Sequence, residues 1–221
     1  DLKARGLLHD TIVVWGGEKA VRHVQKYIGP GFQMVSWDPK TSISLIGREP
    51  GVLVVNPAFP PKTFPEFVAY VKARPGQVDY ASSGNGSGQH LFMALLASMT
   101  GMKLTHVPYK GSGQATADLL GGQVMVSIPG TAGMIGHIKA GKLRPLATTG
   151  AKRAEALPDV PAVAEALPGY EAYVWMGLLA PKGTPADMIA KLNAAAKTAV
   201  ASEPVKKRFA DLSTVAPDAN E

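Results

Sequence analysis

The chain has 221 residues, enough to bury a sizeable core in one domain or two small ones, and its 46% apolar and 18% charged residues are the balance of a folded globular protein. It contains no cysteine, which excludes disulfides and thiolate metal sites, and no apolar run long enough to span a membrane. The net charge of +6 favours anionic ligands, but the 23 Lys and Arg are thinly spread and not interleaved with aromatics, so no nucleic acid is expected.

The opening DLKARGLLHD is not a basic-then-apolar leader and does not begin with methionine, so the compartment is not read from it. TIVVW (11–15) reads as a buried strand, followed by Gly16-Gly17 and a helix with Val21, Val24 and Ile28 on one face. The spacing is neither GxGxxG nor GxxxxGK, and no nucleotide loop is assigned. Residues 29–51 are irregular with a partial strand. GVLVVNP (51–57) is a short apolar strand stopped by Asn56-Pro57. In KTFPEFVAYVKARPG, Thr63 caps a helix with Glu66 as its reciprocal partner, Phe64, Phe67, Tyr70 and Val71 form the apolar face, and Pro75-Gly76 end it.

VDYASSG (78–84) is the next strand and leads into a glycine turn. LTHVPYKG (104–111) is a strand and turn, ATADLLGGQ (115–123) a helix closed by Gly121-Gly122, VMVSI (124–128) a strand, MIGHIKAGK (134–142) a helix and LRPLATTG (143–150) a strand. This alternation predicts a mostly parallel sheet with helices on its faces. The tail differs: LPDVPAVAEALPGY is proline-rich, YVWMGLLAPKGTP is a strand and turn, and Thr184 caps a long helix with Ile189, Leu192, Ala196 and Val200 on its buried side. Ser202-Glu203-Pro204 starts a last helix. The expected organisation is 1–50 as part of a first lobe, 51–150 as a second α/β lobe, and 151–221 as a return segment packing on the first lobe. Such a path creates a cleft, a common place for a ligand.

The stretch YASSGNGSGQH (80–90) lies past the end of a strand and opens a helix. Ligands of open α/β sheets sit at that edge, and a helix start offers unpaired N–H groups and the positive end of its dipole. Gly84 and Gly86 let the backbone approach a ligand closely, and Ser82, Ser83, Asn85 and Ser87 add short donors. Ser87 is also the natural N-cap, a role that would use its hydroxyl internally. His90 stands in the first helical turn. A similar corner, YKGSGQ (109–114), supplies Tyr109, Gly111 and Ser112 at a second helix start. These residues are the expected ligand site, for a carboxylate or phosphate. Backbone donors do not titrate, so binding is expected to vary little with pH near neutrality.

Catalysis is not expected. No intact G-x-S-x-G elbow is present, His90 is only three residues from Ser87, and His106 sits within a strand, where a buried, hydrogen-bonded ring is the plain reading. A serine hydrolase using Ser87 or Ser83 is kept as the rival class. The histidines, at 9, 23, 90, 106 and 137, have no metal-ligand spacing, and neither metal nor cofactor is expected.

VLVVNP, KTFPEFVAYVKARPGQVDYASSGNGSGQHL, THVPYKGSGQATADLLGGQV, HIKAGKLRPLATTGAKRAEALPDVPAVAEALPGYE and WMGLLAPKGTP, in this order, resemble the Bug family, also called TctC. These are the extracytoplasmic solute receptors of tripartite tricarboxylate transporters. The resemblance runs from about Asp38 to the C-terminus. It implies a two-lobed, periplasmic binding protein-like α/β fold with a central cleft, closing on a small organic carboxylate in the periplasm and working with membrane transporter subunits. It also implies that Ser82, Ser83, Asn85, Gly86 and Ser87 meet the ligand carboxylate. The sequence departs from the family where a proline- and glycine-rich turn is usual near the N-terminus, so the first lobe is expected to be incomplete or divergent. A partner subunit completing it, or a remnant that binds nothing, are the alternatives that follow. Ser127, Ile128 and Pro129 replace a polar handle usual in the family, which favours a less hydroxylated ligand, and Ala162 stands where threonine is common.

Overall fold

The computed structural model describes residues 11–14, 33–36, 43–180, 183–212 and 214. The helix expected after Gly16-Gly17 lies outside them. The chain divides into two compact units, Asp1–Ile46 with Gly177–Ala201, and Gly47–Met176 with Ser202–Glu221.

In the first unit, β1 (Thr11–Val14) pairs in parallel with β2 (Gln33–Ser36), Thr11 opposite Gln33. Strand β3 (Ile43–Pro50) pairs with a late strand, Tyr173–Leu179, and both run from one unit into the other in sequence.

The second unit is built on five strands, β4 (Val52–Val55), β5 (Asp79–Ser82), β6 (Thr105–Pro108), β7 (Val126–Ser127) and β8 (Arg144–Thr148), in the order β6-β5-β7-β4-β8. The late strand Tyr173–Leu179 is β9. β5 is parallel to both β6 and β7, whereas β4 is antiparallel to both β7 and β8. The sheet is thus mostly parallel, with β4 alone reversed. The sequence VLVV explains the central place of β4. All four side chains are 0% exposed, and alternation sends Leu53 and Val55 into one core and Val52 and Val54 into the other.

Helices α1 (Phe64–Lys72), α2 (Gly88–Thr100) and the short α5 (Val163–Ala166) supply the first core with Phe64, Phe67, Val71, Phe92, Met93, Leu96 and Val163. Helices α3 (Ser112–Gly121) and α4 (Thr131–Lys139) supply Leu119 and Met134 to the second. The apolar face expected on α1 is the buried one. Its Thr63 cap is also present, accepting the Glu66 N–H at 3.3 Å, while the Glu66 carboxylate reaches one residue further back, to the Lys62 N–H.

Within the return segment, 151–176 belongs to the second unit, as does the last helix, α7 (Glu203–Asp211). Hydrogen bonds tie the first of these to the sheet. Thr148 N–H donates to Pro161 O, Ala172 N–H to Thr149 O, and the buried Tyr170 hydroxyl to Phe92 O at 3.0 Å. The stretch that groups with the N-terminal residues is Gly177–Ala201, which carries α6 (Ala186–Ala201). Its apolar stripe buries no residue; Met188 is 52% and Leu192 59% exposed. Periodicity marks the face a helix would bury, but it supplies no partner for that face.

Candidate ligand site at the helix starts of the sheet

Because β5, β6 and β7 are parallel, the helices that follow them, α2, α3 and α4, all begin at one edge of the sheet. The connection from β5 leads to β6 on one side, and that from β7 leads to β8 on the other. Strand order therefore reverses between β5 and β7, where open α/β sheets bind ligands.

The three helix starts are not equivalent. At α4 the position is filled from within: the buried Glu49 carboxylate accepts the Ala132 N–H at 2.7 Å. A Cβ on Gly130 would overlap Glu49 Oε1, so a larger residue there would displace the Glu49 carboxylate from this position. Neither α2 nor α3 has an acidic residue in its first turn.

At α2, Ser87 is the N-cap, as its position suggested. Its Oγ accepts the His90 N–H at 3.4 Å and donates to Gly84 O at 2.7 Å, so the hydroxyl is used internally. Ser82 is fully buried. Its Oγ accepts the Gly84 N–H at 3.1 Å, lies 3.1 Å from Gly84 O and sits 2.6 Å from His106 Nε2. The Gly86 N–H donates to His90 Nδ1 at 3.0 Å, and the Ser87 N–H to Gly84 O at 3.2 Å. Thus three of the backbone donors counted from sequence are spent inside the turn. The N–H groups of Asn85, Gly88 and Gln89 have no acceptor among the described residues. Asn85 and Gly86 are exposed and Ser83 is half-buried.

The second corner lies against the first. The Tyr109 N–H donates to Ser82 O at 2.9 Å, and a Cβ on Gly84 would sit 3.2 Å from Tyr109 O. Gly84, with φ +132, is therefore required both by its dihedral and by this approach. Gly111 (φ +143) precedes α3, whose start has no side-chain cap, and Ser112 is exposed. The Tyr109 hydroxyl donates to Asp118 Oδ2 at 2.7 Å; burial and then this bond push it up to about 12, so it stays neutral.

Sequence reasoning underrated His106. Its ring stacks on His90 at 4.0 Å between centroids, 8° between planes, and on Tyr80 at 4.9 Å. Burial first, and the nearby His90 second, hold its pKa down to about 4. Only the period-2 register of HVP against YAS, which sets His106 opposite Tyr80, could have hinted at this. Gln89 was also missed: its Oε1 is buried with no hydrogen-bond partner among the described residues.

The Ser82–His106 pair does not make a nucleophile. Ser82 is sealed at 0% exposure, and the more accessible Ser87 hydroxyl is held by Gly84 O and the helix. Ser127 and Ile128, which replace the expected polar handle, are core residues; the Ser127 hydroxyl donates to Ala81 O at 2.9 Å. No group of three metal-ligating side chains occurs among the described residues, and no described helix is long and apolar enough to cross a membrane.

An α/β sheet with helix starts gathered at its switch point is the architecture of periplasmic binding proteins, and solved structures agree. The periplasmic binding protein BugD is 33% identical with a TM-score of 0.75, over 81% of this chain and 62% of that one. MatC from Rhodopseudomonas palustris, with bound malate, is 31% identical with a TM-score of 0.75, over 83% of this chain and 64% of that one. Residues 17–220 match the family described as tripartite tricarboxylate transporter family receptor, TctC, and the chain belongs to that family. BugT of Bordetella pertussis is 39% identical over 169 residues, 76% of this chain. The chain spans about half the length of the curated relatives it matches, 52% and 51% for two of them.

Proposed function

We propose that this chain serves as the ligand-capturing part of an extracytoplasmic receptor, holding a small organic carboxylate and delivering it to membrane subunits of a tripartite tricarboxylate-type transporter in the periplasm. The observation that carries this reading is the turn between β5 and α2. It leaves the N–H groups of Asn85, Gly88 and Gln89 without an acceptor among the described residues, at a helix start with no acidic residue in its first turn, inside a chain of the receptor family. A carboxylate there gains roughly 0.3–1 kcal/mol per exposed helix-dipole contact and about 2 when partly buried. The uncapped start of α3 at Gly111 and Ser112 follows the corner that lies against it. Binding occurs without turnover. Malate in the similar MatC structure supports a dicarboxylate of this size.

Calorimetry against mono-, di- and tricarboxylates, malate and adipate among them, tests the reading. Saturable binding with the ligand recovered unchanged is expected, and Gly86→Val should weaken it by straining a backbone held at φ +75 and by crowding the ligand. A folded Gly86→Val variant that binds as tightly as the parent moves the site elsewhere. Release of a changed product would instead favour a hydrolase.

A second reading, in which a partner subunit must complete the site, is favoured by the exposed stripe of Met188 and Leu192 on α6. It predicts a folded chain that gives no heat with any carboxylate.

A further inference from the structure

The crevice at the switch point has two unlike walls. Helix α2 feeds the core that holds Leu53, and α4 feeds the core that holds Val52, so the two leave the sheet on opposite faces. They follow neighbouring strands. Tyr80 of β5 stands opposite Val126 of β7, Ala81 opposite Ser127, and the Ser127 hydroxyl donates to Ala81 O. Strands so paired lie about 5 Å apart, which sets the start of α4 and the 83–89 turn across one crevice.

The wall at α4 carries a charge of its own. Glu49 is 8% exposed, and among the described residues its carboxylate accepts only the Ala132 N–H. No cation pairs with it there: the ion pairs among the described residues are Arg153–Glu165 and Lys206–Glu203, and Arg48, next in sequence, lies over the Tyr173 ring. A helix start is equivalent to about half a positive charge, which only partly balances a full negative one. The backbone fixes this arrangement. On either side of the Gly51–Gly130 bridge, the Thr131 hydroxyl donates to Pro50 O at 2.6 Å and the Val52 N–H to Pro129 O at 2.8 Å. The starts of α2 and α3 have the reverse sign, since neither has an acidic residue in its first turn.

Resting on the carboxylate-receptor reading, we propose that Glu49 determines specificity by limiting the charge of the ligand: carboxylates are accepted at the starts of α2 and α3, and an uncharged part of the ligand faces α4. Glu49 takes the place that a further ligand carboxylate would seek, and it repels one that approaches. The ligand class is then a mono- or dicarboxylate and not a tricarboxylate. Across about two strand spacings, ~10 Å, and at an effective dielectric near ~20, one unit charge changes the affinity for another by roughly tenfold.

The test compares pentanoate, glutarate and tricarballylate, which place one, two and three carboxylates on the same carbon chain. Calorimetry on the full chain is run near pH ~8, well above the usual carboxylate range near ~4. Tricarballylate is expected to bind roughly tenfold more weakly than the tighter of the other two. Glu49→Gln, which keeps an acceptor for Ala132, should raise the affinity for tricarballylate more than that for the tighter ligand, narrowing the gap by about threefold or more. Glu49→Ala, which vacates the Ala132 N–H, should narrow it at least as much and replaces the glutamine variant if that one does not fold. An unchanged gap in a folded variant overturns the role of Glu49 and leaves the receptor reading standing. So does a parent that binds tricarballylate as tightly as the tighter of the other two, a result that needs no variant. Absence of heat from the parent with all three, and with malate and adipate, overturns the receptor reading and the role of Glu49 together.

Discussion

The Glu49 carboxylate accepts the Ala132 N–H at 2.7 Å, at the start of α4, so the protein fills one of its three neighbouring helix starts with an anion of its own. Burial raises the pKa of Glu49 above its usual value, and the Ala132 hydrogen bond only partly offsets this. A carboxylate whose folded-state pKa is raised costs stability once ionised. The penalty is complete above the raised pKa and vanishes as pH falls through the ordinary carboxylate value near ~4. Glu49→Gln keeps an acceptor for Ala132 and removes the charge. Its stability relative to the parent should therefore increase from acid toward neutral pH. Urea unfolding of both proteins across that range checks it; a relative stability that falls with rising pH would contradict the assignment.

Thr149 joins three segments of the second unit. Its Oγ1 accepts the Gly51 N–H at 2.6 Å and donates to Ala172 O at 2.6 Å, both buried. Thr149→Val keeps the shape and strands the Gly51 N–H and one lone pair of the Ala172 carbonyl. A loss of about 1–3 kcal/mol is expected for the stranded donor. Equilibrium unfolding measures it, and a change below about 0.5 kcal/mol would mean that the local backbone finds another partner.

Two glycines of the turn separate strain from crowding. Gly84→Ala meets both a φ of +132 and the Tyr109 carbonyl at 3.2 Å, whereas Gly86→Ala meets only a φ of +75 with open space. Gly86→Ala should cost about 1–2 kcal/mol and Gly84→Ala more. Gly86→Asn should cost less than Gly86→Ala, since asparagine tolerates the left-handed region. Thermal unfolding of the three variants gives the order directly.

Ser87→Ala removes the acceptor of the His90 N–H and the donor to Gly84 O. It should lower stability by about 0.5–2 kcal/mol. Carboxylate affinity should fall only modestly, because the free donors are backbone N–H groups. Loss of all binding in a folded Ser87→Ala protein would show that the hydroxyl itself holds the ligand.

Arg153 grips both oxygens of Glu165, Nε to Oε1 at 2.8 Å and Nη2 to Oε2 at 2.9 Å. This pair, with the Ala162 N–H second, lowers the Glu165 pKa to about 2 from its usual 4.5. The stabilisation it gives is present above the usual value and is lost as pH falls toward about 2. The pair is about half-exposed, so Glu165→Gln should be only slightly less stable than the parent at neutral pH, and the gap should shrink with salt. A gap that widens below the usual carboxylate pKa would contradict this.

Local chemistry alone determined much of this protein. VLVV is apolar at every position and became a strand buried on both faces; Thr63 and Ser87 precede helices and cap them; the glycine–serine stretch after YAS became a turn at the carboxyl end of a strand with parallel neighbours. Each of these depends on neighbours within a few residues, which a sequence displays. The family itself was legible for the same reason, as many short matches in order.

What the tertiary structure decided were the partnerships between distant residues. Nothing near Ser82 in sequence announces His106, 24 positions away, yet the parallel register of β5 and β6 sets them 2.6 Å apart and stacks His106 on His90. Likewise Glu49 reaches α4 across 83 positions and closes a helix start that otherwise resembles its two neighbours. The turn's donors could be counted from sequence, but their availability could not. A hydrogen bond is satisfied by whichever acceptor the fold brings near, and burial determines which of those acceptors can carry a charge.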